Sequence, residues 1–140
     1  MTQKEAVLLW ERAYGIAYAH GANTLPRPMV FTTHISGQKP TSDIVTEGMC
    51  GFAWVTFYYR NKECREFCKH IMTAQTEHQM TIRDSSMRYH QNQGRDEPAC
   101  WKVWVGDYNQ SMERKSSFAK AFMAIMQMAG IPCTAGERMD

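Results

Sequence analysis

Apolar positions along this chain follow two periods, and the clearest example of each lies in the last third. Trp101, Val103 and Val105 alternate with Cys100, Lys102 and Trp104, the period of a strand with one buried face. Gly106-Asp107 breaks it. Asn109, Gln110 and Ser111 then offer short polar side chains that can accept hydrogen bonds from the free N–H groups of a helix start. Glu113 puts an acid in the first turn, where the helix dipole favours one. Phe118, Phe122, Ile125 and Ala129 follow at spacings of four, three and four, and Met126 and Met128 widen the stripe. Gly130 and Pro132 stop it. The pattern predicts a helix from about Ser111 to Ala129.

The same reading applies upstream. Thr2 and Glu5 form a capping box. Ala6, Leu9, Trp10, Ala13, Ala17 and His20 then share a helical face, with Ile16 at its edge. Gly15, costly inside a helix, is expected to admit a neighbouring backbone, and Gly21 to end the element. Met29 to Ile35 reads as a strand, Ser36 to Asp43 as a loop and Ile44-Val45-Thr46 as a short strand. Asn61 is placed to cap a second helix with Cys64, Phe67, Cys68 and Ile71 as its stripe, running to about Gln75. Thr76 to Pro98 is polar and reads as an irregular excursion with a short strand at Met80-Thr81-Ile82. Loops of that length are often functional.

Cys50 to Tyr59 has no polar face. Phe52, Trp54 and Tyr58 point one way, Ala53, Val55 and Phe57 the other. Such a strand is covered above and below. Helices are expected on one face and a partner subunit on the other, which makes Phe52, Trp54 and Tyr58 interface candidates. The whole predicts an α+β fold: a small, mostly antiparallel or mixed sheet of three to five strands packed with three helices. One domain over 1–140 is expected, with the excursion at about 76–98.

Net charge is +2 over 140 residues, too weak to argue for nucleic acid by itself, so a nucleic-acid partner is not expected. No apolar run approaches the ~20 residues of a membrane span, and the first residues lack a signal-peptide shape. A cytosolic protein with its five cysteines reduced is expected. Eleven methionines suit irregular cores and adaptable contact surfaces.

Three polar groupings carry candidate chemistry. Cys64 and Cys68, one helical turn apart with His70 nearby, are metal-ligand types, but they share the core stripe with Phe67 and Ile71, and buried thiols are the plainer reading. Cys50 stands alone as a candidate nucleophile without a base at fixed spacing. Gln110, Ser111, Arg114 and Lys115, at a helix start, form a candidate anion site. A tail folding back would bring Arg138 and the Asp140 carboxylates to it; the plainer alternative is a cap with solvated charges. Arg83, Arg88, Tyr89, His90 and Arg95 mix cations with an aromatic, diluted by Asp84 and Asp96. No glycine-rich phosphate loop is present, and no cofactor is expected.

At CGFAWV (Cys50 to Val55), YNQSMERK (Tyr108 to Lys115) and AGERMD (Ala135 to Asp140), the chain resembles a family of small bacteriophage proteins. The likeness also touches Pro26-Arg27-Pro28-Met29 and the AFMAIMQMAGI helix end; about Arg60 to Ala99 departs from it. The resemblance implies expression in the cytoplasm of a bacterial host and directs attention to Gln110, Ser111, Lys115, Arg138 and Asp140. It supplies no activity. The resulting expectation is a non-enzymatic phage protein acting through protein–protein association or self-association, a virion structural or accessory component. The alternative is a small phage effector or enzyme with an anion site at the start of the last helix.

Overall fold

The computed structural model describes residues 1–34, 36–91 and 98–140. Three helices and six strands are present among them: α1 (Gln3–Asn23), β1 (Met29–Thr33), β2 (Thr41–Val45), β3 (Gly51–Tyr58), α2 (Lys62–Thr76), β4 (Ser86–His90), β5 (Cys100–Trp104), α3 (Met112–Met128) and β6 (Thr134–Met139). The fold is α+β, with a four-stranded antiparallel sheet in the order β4-β5-β3-β6 and a separate β1–β2 hairpin. From β3 onward the chain runs β-α-β-β-α-β, and each helix links two strands that sandwich a third, the split β-α-β arrangement.

The caps are those the sequence offered. Thr2 Oγ1 accepts from the Glu5 N–H, Asn61 Oδ1 from Cys64 and Ser111 Oγ from Arg114. Asn109 is not a cap: it and Tyr108 take left-handed backbone angles (φ 50° and 67°) in the turn before α3. Gly15 meets no neighbour, whereas a Cβ at Gly21 would strike the Tyr108 ring at 2.4 Å. The close approach therefore lies nearly two turns later than expected. The helix runs past Gly21 to Asn23.

One face of the sheet is covered by helices. Ala53, Val55 and Phe57 of β3 and Trp101 and Val103 of β5 point into it, with Val105 just beyond β5. They meet Phe67, Cys68 and Ile71 of α2 and Phe118, Phe122 and Met126 of α3. Helix α1 lies across α2 and α3, inserting Trp10 and Tyr14 edge-on to Phe122 and Phe118 at 5.2 and 5.1 Å. Burying each of these large side chains contributes on the order of 1.5–3 kcal/mol before ordering entropy. Some expected core positions lie outside: His20, Met128 and Ala129 are exposed, and Tyr14, Lys115 and Ser116 are buried instead. The stripe is rotated because α3 faces both α1 and the sheet.

The excursion is less irregular than expected. Met80-Thr81-Ile82 is not a strand; the strand is β4, paired residue for residue with β5. The Gln75 side chain pins it to α2, accepting from the Met87 N–H and donating to the Met87 carbonyl at 3.0 Å each. Ile35, the Gln91-to-Gly94 cluster, Arg95 and Asp96 fall partly or wholly outside the described residues.

Candidate functional site

Among the described residues the other face of the sheet carries no helix. Strand alternation and register place on it Phe52, Trp54, Thr56 and Tyr58 from β3, Cys100, Lys102 and Trp104 from β5, Ser86, Arg88 and His90 from β4, and Thr134, Gly136 and Arg138 from β6. Aromatic rings occupy its centre. Trp54 and Trp104 are direct cross-strand partners, stacked with centroids 5.5 Å apart and planes 5° from parallel. Phe52 lies 5.4 Å from Trp104. Trp104 is 40% exposed although its neighbours on the strand are core residues. Gly136 makes this arrangement possible: a Cβ there would come within 2.6 Å of the Trp54 indole.

Cations surround the rings. Lys102 Nζ lies 5.8 Å from the Trp54 ring centre, the Arg60 guanidinium 5.2 Å from Tyr58, and Arg138 and Lys115 5.4 and 5.7 Å from Phe52. Among the described residues none of these four, nor Arg88, is in an ion pair. Lys115 is unusual: only 5% of it is exposed, yet it pairs with no acid among the described residues. Burial lowers its pKa below the ordinary lysine value, against an opposing effect of nearby Cys50. Two hollows open on this face. One of about 440 Å³ is lined by Asp84, Ser86, Arg88, His90, Lys102 and Trp104. The other, about 280 Å³, lies along Trp54, Tyr58, Lys102 and Gly136.

The candidate anion site at the start of α3 divides in two. Ser111 and Arg114 have internal work. Ser111 Oγ donates to the Glu47 carbonyl at 2.9 Å, and Arg114 pairs with the Glu47 carboxylate at 2.9 Å while donating to the Gly21 and Ala22 carbonyls at the end of α1. With the Met112 N–H donating to Met49 O and Glu113 accepting from the Arg27 N–H, these contacts fasten both feet of the β1–β2 hairpin to α3. Gln110 uses its carbonyl on the Gly51 N–H and leaves its side chain exposed. Lys115 and Arg138 are brought together on one ring, Phe52. The tail does fold back, as strand β6, and the Asp140 N–H donates to Cys50 O.

The remaining candidates are placed elsewhere. Cys64 and Cys68 are core residues whose thiols burial pushes up, Cys64 to about 11, and Cys64 Sγ donates to the Pro132 carbonyl. Among the described residues no group of three or more metal-ligand side chains comes together. Cys50 is exposed and hydrogen-bonded to no base through its sulfur among the described residues. Arg83 pairs with Glu11 and sits over Tyr14, and Tyr89 packs with Trp101 on the covered side. Arg88 and His90 are on the open face.

Sequence reasoning missed Lys102, Trp104 and Gly136 as site residues. The signal was present in the alternation of β5, whose outward positions are Cys100, Lys102 and Trp104, so that a large ring stands opposite the buried face. No helix among the described residues is long and apolar enough to cross a membrane. Compared with known proteins, the chain matches no family model, no curated protein and no solved structure.

Proposed function

We propose that this protein binds single-stranded nucleic acid on the open face of its sheet, acting by association and not by catalysis. The observation that supports this is the row Phe52, Trp54 and Trp104 set among cations that pair with no acid among the described residues. Stacked rings offer π-faces to bases, each worth about 1–3 kcal/mol, while unpaired Lys and Arg side chains follow the phosphates. A protein partner would be served by the rings alone. Known RNA-binding modules also stack bases on aromatics at the centre of a four-stranded sheet; the parallel is one of architecture. On this reading Phe52, Trp54 and Tyr58, expected to meet a protein partner, meet a nucleic-acid strand instead, a partner that the net charge of +2 did not lead one to expect.

The test is titration of a mixed-sequence oligonucleotide about a dozen nucleotides long, read by quenching of tryptophan emission. Saturable quenching that weakens with salt, with a log–log slope of about −0.7 per phosphate contact, and that a duplex does not reproduce, is expected. No quenching at low salt overturns the reading.

A second reading, assembly with protein in a phage particle, is favoured by the β1–β2 hairpin. Val30 and Ile44 are direct cross-strand partners, 63% and 67% exposed, and lone two-stranded hairpins are marginal in water. A monomeric mass in solution, together with absence from purified particles, sinks it.

A further inference from the structure

Asp84 is an anomaly on a face that otherwise attracts anions. It lies at the rim of the hollow of about 440 Å³, beside Arg88, His90, Lys102 and Trp104. Among the described residues its carboxylate pairs with none of those cations. Its position is nonetheless held firmly. On one side Arg83 is tied to Glu11 at 3.0 Å and lies 4.8 Å over Tyr14. On the other, Ser85 is buried in a hydrogen-bonded cluster. Its N–H donates to Tyr14 Oη, and its Oγ donates to Asp107 at 2.6 Å and accepts from the Gly106 N–H at 3.0 Å. Tyr14 Oη donates to the same Asp107 carboxylate at 2.6 Å. The Asp84 carbonyl lies so close to Gly106 that a Cβ there would meet it at 2.3 Å. An exposed acid is thus braced by a part-exposed ion pair on one side and a buried hydrogen-bonded cluster on the other, the way a binding residue is held by its supporting shell.

A carboxylate only accepts hydrogen bonds. It repels a phosphate, so the group it meets in this hollow must donate. The flanking Arg88 and Lys102 only donate, so the same ligand must also present acceptors. Trp104 supplies a π-face. The hollow is of the size that takes a small planar molecule.

From this arrangement we infer that the hollow is a guanine-selective base pocket within the nucleic-acid surface, Asp84 accepting from guanine N1–H and the N2 amino group. Guanine alone among the bases places two adjacent donors on different atoms on one edge and the O6 and N7 acceptors on the other. Arg88 or Lys102 answers the acceptor edge, and Trp104 stacks on the ring. Adenine and cytosine bring a single amino group to Asp84, and uracil flanks its one N–H with carbonyls that the carboxylate repels. The inference rests on the proposed binding of single strands to the open face.

The experiment compares oligouridylates carrying one central guanosine or one central adenosine, titrated against the wild type, Asp84→Ala and Arg88→Ala, with circular dichroism to confirm folding. The guanosine strand is expected to bind the wild type about tenfold more tightly than the adenosine strand, the discrimination a bidentate pair supplies. Asp84→Ala is expected to erase that preference while binding plain oligouridylate at least as well, since a negative charge has been removed. Arg88→Ala should reduce both the preference and the overall affinity. Equal binding of both strands by the wild type, or a guanosine preference that survives Asp84→Ala, overturns the pocket and leaves the single-strand reading standing. Absence of binding to every strand overturns both.

Discussion

The indoles of Trp54 and Trp104 stack across the two central strands, 5.5 Å apart and 5° from parallel, on the side of the sheet away from the helices. Trp104 is the more exposed of the two. Cross-strand pairs of this kind contribute about 0.2–1 kcal/mol to a sheet, so Trp104→Ala should cost little stability. Its effect on binding should be larger: loss of one stacking platform weakens single-strand affinity by about 1–3 kcal/mol. Chemical denaturation and tryptophan quenching, measured on the same variant, separate the two quantities. A variant with equal losses in both would make the ring a structural element only.

Gly136 supplies a complementary handle. It pairs with Trp54 across β3 and β6 and leaves room for the indole, which a methyl group would meet at 2.6 Å. Gly136→Ala should tilt Trp54 off Trp104 without touching any charge. Weaker binding with an unchanged salt slope is expected, because the phosphate contacts are not altered. A changed slope would mean that cations had moved as well.

Elements built on a repeating apolar period were readable before the structure. The stripe Cys64, Phe67, Cys68 and Ile71 is the buried face of α2, and Ala53, Val55 and Phe57 are the covered side of β3. Strand β6 was not readable: Thr134 to Met139 has no apolar alternation, and its small residues serve to clear space for Trp54, a requirement set by a strand more than 70 residues away. Strand β4 was hidden for a related reason, since only Met87 of its five residues is buried. The candidate site was half legible. Ring-bearing positions on β3 declare themselves through alternation, and a returning tail was expected to carry Arg138 toward Lys115; that the two meet on Phe52 depends on sheet order, which local spacing does not encode.

The contacts of Ser111 and Arg114 predict stability effects, not ligand effects. Ser111→Ala removes the cap of α3 and the bond to the Glu47 carbonyl, and loss of such a cap costs about 0.5–2 kcal/mol. Arg114→Ala frees the carbonyls that end α1 as well as Glu47. Both should lower the thermal midpoint and loosen the hairpin, visible as faster amide exchange over Met29–Val45, while leaving single-strand affinity within a factor of about two. A large affinity loss with an unchanged midpoint would return the start of α3 to candidacy as the ligand site.

Burial and the Asp107 carboxylate push the Tyr14 hydroxyl from 10.0 to about 12. The folded protein therefore keeps this proton after the unfolded chain has lost its own. The stabilisation is complete below pH 10.0 and declines as pH rises from there toward about 12. Tyr108 is shifted in the same direction by burial and adds to the effect. Tyr14→Phe should flatten the Tyr14 part of this alkaline decline, at a cost of about 1 kcal/mol or more at neutral pH from the hydrogen bonds lost to Asp107 and Ser85. Denaturant midpoints across the alkaline range measure both. A decline as steep in the variant as in the wild type would place its origin elsewhere.

Lys115 sets function against stability most directly. Its ammonium is held beside Phe52 with no acid paired to it among the described residues, and burial makes the charged form costly. Replacing it with methionine keeps the length and apolar stem of the side chain and removes the charge. Lys115→Met is therefore expected to be as stable as the wild type or more so, by up to about 1 kcal/mol, and to bind single strands more weakly with a salt slope smaller by about 0.7, one phosphate contact. The pH dependence follows the same logic. Because the folded-state pKa lies below the ordinary lysine value, the ammonium is lost at a lower pH than in the unfolded chain, and wild-type affinity should begin to fall there. The folded state gains over the same interval, since the unfolded chain still binds the proton. Cys50, Phe52 and Arg138 are the groups around it. Affinity and stability moving in opposite directions in the wild type, with neither shift in Lys115→Met, is the expected result. Equal binding by the two proteins at low salt would remove Lys115 from the phosphate path and leave its burial a matter of packing alone.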